Sequence, residues 1–315
     1  MRLQLHGNPH RRAWPALGLA AAVLVSSGFA QSNPSPGHDA AALVRRAVAN
    51  HLAAETTDVP QRFVLHKKDD RRDYSQLVIE TRQGDVAMAI AANGAPLPPS
   101  ARRMQIDRLD KIDANPALQE HRLKREQEDT ARVNKLMRLL PDAFLYHYEA
   151  TVPCLVSAPA VVATPVPTES AASSGTVTPT VRECYRLTFR PNPRWDPPDT
   201  ESRLLKGMAG DVLIDQTGER MTRLNAHLVT DVDFGWGIIG HLDKGGTIFL
   251  EQSEVAPNQW ELTRMKLNLT GRALMVKSLR FHISEEMSHY APVPADLDYH
   301  QAIAMLKAEA VRGGE

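Results

Sequence analysis

The strongest constraint on the fold lies in residues 210–283, where short runs of alternating character follow one another at close spacing. Strands are expected at 211–215, 221–230, 246–255, 260–270 and 274–283, with turn sequences such as Gln216-Thr217-Gly218 and Ala256 to Asn258 between them. In the fourth run Thr263, Met265, Leu267 and Leu269 share one face, while Arg264, Lys266 and Asn268 share the other. Met275, Leu279, Phe281 and Ile283 repeat the pattern in the fifth, with Lys277 as the exception. Such spacing describes an antiparallel meander with one apolar and one wet face. The apolar face has to be covered, so the rest of the chain must supply a cover.

Several segments are available for that role. Asp39 can cap a helix in which Ala41, Val44, Ala47, Val48 and Leu52 recur at helical spacing. Strand-like runs follow at 62–66, 74–82 and 85–91, with turns expected at Gln83-Gly84 and Asn93-Gly94. Residues 98–140 read as a charged helical insertion, broken at Asn115-Pro116 because the residue before a proline is pushed out of helical geometry. Ile106, Leu109 and Ile112 give its first helix a thin apolar edge. Val133, Leu136, Met137 and Leu140 give the second a fuller stripe, which Pro141 is expected to end. The mixed charges of residues 124–132 read as a solvated helix face. Strands at 144–152 and 184–190 flank an Ala/Val/Pro/Ser/Thr tract, 157–180, whose single charge is Glu169; it is expected to form a disordered hairpin tip. A last helix is expected at 296–311. The reading is thus one globular domain over 38–311, built from a helix and strands (38–97), the insertion (98–140), an antiparallel half-barrel (144–290) and the final helix.

The beginning of the chain reads as an export signal. Residues 1–14 carry Arg2, Arg11 and Arg12 and no acid, and an apolar stretch occupies 15–25. Ser26, Ser27, Gly28 and Ala30 then supply a small-residue site, with cleavage expected between Ala30 and Gln31 and a polar tether over 31–37. The apolar stretch is well short of the ~20 residues that cross a bilayer, so no transmembrane anchor is expected after cleavage. The residues after Arg11-Arg12 fit the twin-arginine pattern poorly, and no cysteine follows the apolar stretch to accept a lipid. The expected destination is the periplasm or the exterior. Removing residues 1–30 leaves 34 basic against 37 acidic side chains, a formal charge of −3 that offers nothing to nucleic acid. Cys154 and Cys184 both lie in the exported part, where thiols are oxidised, and a disulfide between them is expected.

Catalytic motifs are sparse. H-E-x-x-H, G-x-S-x-G and the Walker loop are absent. Gly235, Gly237 and Gly240 match G-x-G-x-x-G in letters, but the run sits among antiparallel strands and no helix follows. Glu285, Glu286 and His289 cluster, yet their two usable ligands fall short of the three or four zinc requires. His147, His227 and His241 read as strand or loop residues without catalytic partners, and Asp231 and Asp233 as the wet side of an extended segment or turn. No cofactor or metal is implied. The most unusual stretch, 233–246, joins Phe234, Trp236, Ile238 and Ile239 to five glycines. It suits the mouth of a binding site, or a sheet bend whose aromatics fill the core.

Taken in order, Gly210-Asp-Val-Leu-Ile-Asp215, an arginine-punctuated strand, the glycine and aromatic stretch and Trp260 leading a further strand resemble the lipoprotein-sorting (LolA-like) carriers of the bacterial envelope. Asn93-Gly-Ala-Pro-Leu97 before a charged helix is similar to members with an N-terminal extension. The resemblance implies an α+β fold, an incomplete antiparallel β-barrel with helices across its opening, enclosing an apolar cavity for acyl chains. On that basis the chain is expected to be a non-enzymatic carrier of a lipid, a lipoprotein acyl chain or another hydrophobic ligand. The expected ligand-binding residues are Phe234, Trp236, Ile239, Leu250, Met265 and Leu267. The alternatives are an envelope sensor or scaffold that docks a protein partner on helices 98–140 and, third, a hydrolase without a recognisable motif.

Overall fold

A computed structural model describes residues 39–55, 57–157, 180–234, 240–273 and 277–312. Among the described residues, four helices, α1 (Ala40–Ala54), α2 (Pro99–Asp113), α3 (Pro116–Ala143) and α4 (Tyr299–Arg312), accompany thirteen strands. In chain order the strands are β1 (Gln61–Lys68), β2 (Asp73–Ile79), β3 (Val86–Ala92), β4 (Ala95–Pro96), β5 (Phe144–Leu155), β6 (Val181–Pro191), β7 (Met208–Asp215), β8 (Met221–Leu228), β9 (Val232–Phe234), β10 (Gly240–Leu242), β11 (Thr247–Ala256), β12 (Gln259–Ala273) and β13 (Lys277–Pro292). A short 3-10 helix, Ser202–Gly207, leads into β7.

All thirteen strands belong to one antiparallel sheet, ordered β4-β3-β2-β1-β13-β12-β11-β8-β7-β6-β5, and the sheet does not close. The β9–β10 hairpin attaches to β12 at residues 271–273, beyond the point where β11 pairs Thr247 with Asn268. The α+β half-barrel expected from the sequence is therefore the fold. β1 joins the two ends of the chain, pairing with β13 from Gln61↔Pro292 to Lys68↔Ser284.

Period-two alternation places the apolar residues as expected. Met265, Leu267 and Leu269 of β12 are buried on the inner face, with Leu250 and Ile248 of β11 and Leu224 of β8 beside them. The outer face carries a cross-strand row in which charges alternate: Arg223, Glu251, Arg264, Glu286 and His66 stand opposite one another across β8, β11, β12, β13 and β1. Arg264 bonds both of its neighbours, Glu251 at 3.1 Å and Glu286 at 3.5 Å. Opposite charges in register favour this pairing, and the row suits a face in contact with water.

Two helical layers lie on opposite faces. α1 and the C-terminal half of α3 cover the inner face through Leu43, Val44, Ala47, Val133, Leu136 and Leu140. α2 and α4 cover the other face of β2 and β3, where Ile79, Val86 and Met88 meet Leu109, Ile112, Ile303 and Leu306. Helix starts follow local chemistry. Asp39 accepts from the Ala42 amide and Asn115 from the Leu118 amide, each satisfying a donor that has no partner in the first turn. Proline occupies the first turn of both α2 and α3, where its missing N–H costs nothing. The turn Asn93-Gly94 has φ of 52° and 76°, the left-handed pair that a two-residue hairpin demands.

Some local expectations are corrected. α3 runs through Pro141 to Ala143: the ring sits in the last turn, and β5 begins directly at Phe144. Residues 124–132 are not uniformly solvated, because Glu126 is buried and accepts from the backbone amide of Asp85 at 3.1 Å. β13 continues to Pro292 rather than ending at 283, so Glu285 and Glu286 are strand residues. Glu285 meets Lys67 of β1 at 2.5 Å on one face, while Glu286 joins the charged row on the other. The central hairpin tract, 158–179, and Met275 lie outside the described residues.

Candidate functional site: an apolar cavity between sheet and helices

The inner face of the sheet and its helical cover do not meet completely, and a cavity of about 40 Å³ remains between them. Its floor is Met208 of β7, Leu224 of β8, Ile248 and Leu250 of β11, and Met265 and Leu267 of β12. Its roof is the α3 stripe Val133, Leu136, Met137 and Leu140, with Leu204 and Leu205 of the 3-10 helix. The floor follows from strand register: Leu250 stands opposite Met265 and Leu224, and Ile248 opposite Leu267. The roof follows from 3.6-residue periodicity, which sets Val133, Leu136, Met137 and Leu140 on one face of α3.

Every lining side chain is aliphatic or a thioether. A void so lined offers water none of the two to four polar partners it needs, so the space is dry. The volume is roughly a tenth of the low end of the ~300–1,000 Å³ typical of ligand pockets, so the space as it stands is too small for a ligand of that size. Chemically, the arrangement offers dispersion contacts and adaptable volume: methionine is unbranched and re-packs at low cost.

Charged residues stand where the roof's two parts meet. Lys135 of α3 bonds Asp199 at 2.8 Å and approaches Glu201 at 3.7 Å, and Arg132 reaches Glu201 at 3.4 Å. Asp199 also accepts from the amide of Ser202, the first residue of the 3-10 helix, at 2.9 Å. Burial pushes the Asp199 carboxyl up, but the hydrogen bonds from Lys135 and Ser202 together outweigh it and hold the carboxyl below its ordinary value. The hydrogen bond to Asp199 raises Lys135 in turn.

Of the residues expected to bind ligand, Leu250, Met265 and Leu267 line the cavity. Phe234 belongs to the same buried cluster but not to the lining, because it sits on β9, whose hairpin attaches to the far end of β12. Trp236 and Ile239 lie outside the described residues. Cys154 and Cys184 form the expected disulfide, with Cα atoms 5.8 Å apart. His241 lies between Asp233 at 2.8 Å and Asp243 at 3.4 Å, while the Asp231 carboxylate accepts from the Lys244 amide in a turn. His147 and His227 are exposed on β5 and β8. Among the described residues, no group of histidines, cysteines and acids is placed to hold a metal ion, and no helix is long and apolar enough to cross a membrane.

Sequence reading missed Leu204, Leu205 and Met208. The 3-10 segment is too short to show a period, and Pro197 and Pro198 before it mask the signal. Leu224 and Ile248 were within reach: Leu224 stands between Arg223 and Asn225, and Ile248 is two places from Leu250 and so shares its face, each on a strand expected from the sequence. No protein-family model, no curated protein and no solved structure matches this chain. The fold and cavity by themselves define a class: an open antiparallel sheet with a helical roof over a small apolar cavity.

Proposed function

We propose that this chain is a non-enzymatic binding or carrier protein of the bacterial envelope that holds a lipid, a lipoprotein acyl chain or another hydrophobic ligand between sheet and roof. The observation that carries the reading is the dry cavity of about 40 Å³, lined by aliphatic and thioether side chains and placed where the sheet, α3 and the 3-10 helix converge. A hydrocarbon chain gains about 25 cal/mol for each Å² it buries there, and enlarging the site requires Leu and Met side chains to swing aside. The two halves of α3 suit such a change. Its N-terminal half is hydrogen-bonded to the end of the sheet through Gln119, Arg122 and Glu126, while its C-terminal half meets the cavity through apolar contacts. The disulfide supports an oxidising compartment. The scaffold alternative loses support because those same polar residues of α3, with Gln105 and Arg108 of α2, already bind this chain's own backbone.

A dansyl-labelled fatty acid titrated into delipidated mature protein tests the reading. Saturable binding is expected, and Met137→Ala, which widens the cavity at a cost of ~2–5 kcal/mol in stability, should bind the probe more tightly. Absence of saturable binding by both proteins would end the proposal.

A further inference from the structure

β12 and β13 are the longest strands described, and they run past their neighbours. β11 reaches β12 only as far as Thr247↔Asn268, and β1 reaches β13 only as far as Lys68↔Ser284. Beyond those points the two strands continue as a ribbon, which β10 joins at residues 271–273. Residues directly opposite each other share a face. On the outer face Lys266 stands opposite Ser284, Asn268 opposite His282, Thr270 opposite Arg280 and Arg272 opposite Ser278. All of these are exposed except Ser284, which is half-buried.

This ribbon is basic. From Leu262 to Ser284 the chain has no acidic residue, while Arg264, Lys266, Arg272, Lys277 and Arg280 are cations. Arg264 is neutralised by its register neighbours Glu251 and Glu286. The cations farther along differ: Lys266 stands between Phe249 and Ser284, Arg272 between His241 and Ser278, and Arg280 opposite Thr270. None of these neighbours is a carboxylate, and Lys266, Arg272 and Arg280 make no ion pair among the described residues. The acids that border the ribbon are engaged by histidines, Asp70 by His282 at 2.9 Å and Asp233 by His241 at 2.8 Å.

We propose that this outer ribbon is a docking surface for an anionic lipid bilayer. Lys266 and Arg272 lie six residues apart on one strand, a span of ~20 Å, so the complementary charge has to be extended rather than a single small anion. A protein partner would be anchored by aromatic or apolar groups at the centre of the contact, but the side chains between these cations are those of Asn268, Thr270, Ser278 and His282. A layer of lipid phosphates needs no such anchor, and each cation near it adds to the attraction. The mature chain as a whole carries −3, so the field of the molecule turns this ribbon toward an anionic surface and the rest away from it. Met265, Leu267 and Leu269 of the same strand point to the opposite face, and the inference is independent of what occupies the cavity.

Flotation of the oxidised mature protein with lipid vesicles tests the proposal. Binding is expected to phosphatidylcholine vesicles that contain phosphatidylglycerol, not to phosphatidylcholine alone, and it should weaken as salt is added. Arg272→Glu with Arg280→Glu should reduce it by at least about tenfold. Arg103→Glu with Arg125→Glu makes the same change of charge at exposed positions of α2 and α3 and should leave most of the binding in place. Circular dichroism confirms the fold of each variant, and the milder triple change Lys266→Gln, Arg272→Gln and Arg280→Gln replaces the glutamates if they disturb the ribbon. A wild type that ignores the anionic vesicles, or two double variants that bind alike, would overturn the inference. So would polyglutamate that binds the wild type where the vesicles do not, since the face would then dock an acidic protein.

Discussion

The two ends of the sheet solve the same problem in opposite ways. At one end β3 pairs with the two-residue strand β4 only at Ala91 and Ala92, and polar side chains take over beyond it. The Ala87 carbonyl accepts from Arg108, the Ala89 amide donates to Gln105 at 3.4 Å, the Asp85 amide donates to Glu126 at 3.1 Å, and Gln119 donates to the carbonyls of Gln83 and Gly84. The charged helices thus act as a substitute strand. The arrangement has a cost: burial, with Arg122 close by, brings the Arg108 guanidinium down to about 10. At the other end β5 is held by aromatic backing and by a disulfide to β6 near the far end of their pairing. One end is thus held by side chains that bond the strand backbone, the other by packed rings and a covalent link.

The largest test of this contrast removes the staple. Cys154→Ser with Cys184→Ser frees a loop of some thirty residues, and urea denaturation should show a loss of ~3–4 kcal/mol on the loop-entropy model. Hydrogen exchange should rise first in β5 and β6 and not at β3; the reverse order would mean that the disulfide serves the whole sheet equally. The next test acts on the sealed edge. Gly84 has φ of +99°, and a Cβ there would lie 2.8 Å from Gln119 Nε2, so Gly84→Ala should cost ~1–3 kcal/mol. Faster exchange at residues 85–89, with β5 unchanged, would show the helical seal loosening. A small effect is expected from the ion pairs between α3 and the segment before the 3-10 helix, since the helix that seals β3 also reaches across to Asp199. Because the Asp199 carboxyl is held below its ordinary value, its contribution is complete above the unfolded carboxylate pKa near ~3.9 and fades as pH falls through the lower folded value. Lys135→Gln should remove under ~1 kcal/mol of stability at neutral pH and flatten that acid limb, as read from thermal melts across pH.

Legibility differed between the two ends for a physical reason. Strands whose side chains alternate between core and water announce themselves, so Met265, Leu267 and Leu250 were readable as core-facing residues from β11 and β12 alone. The α3 stripe was equally plain. Glu126 was not, because a glutamate that accepts from a distant backbone amide looks the same in sequence as one facing solvent; only the fold brings Asp85 to it across 41 positions. The roof residues Leu204 and Leu205 escaped notice because one short turn carries no period. His241, set aside as partnerless, gained Asp233 and Asp243 through a hairpin too short to recognise. What remained hidden was of one kind: contacts made by side chains with backbone or partners far along the chain.

The pairing of β1 with β13 also bears on how the molecule comes into being. Gln61 finds its neighbour in Pro292, so the first four strands have no place in the sheet until nearly the whole polypeptide has emerged. The intervening strands form a run of nearest-neighbour hairpins that can assemble early, but joining this final seam brings together segments more than two hundred residues apart, an entropic debt that slows folding. Until that seam forms, β1 is paired on one side only, by β2. A nascent chain of this design therefore completes its sheet late, after its last strand has become available to its first.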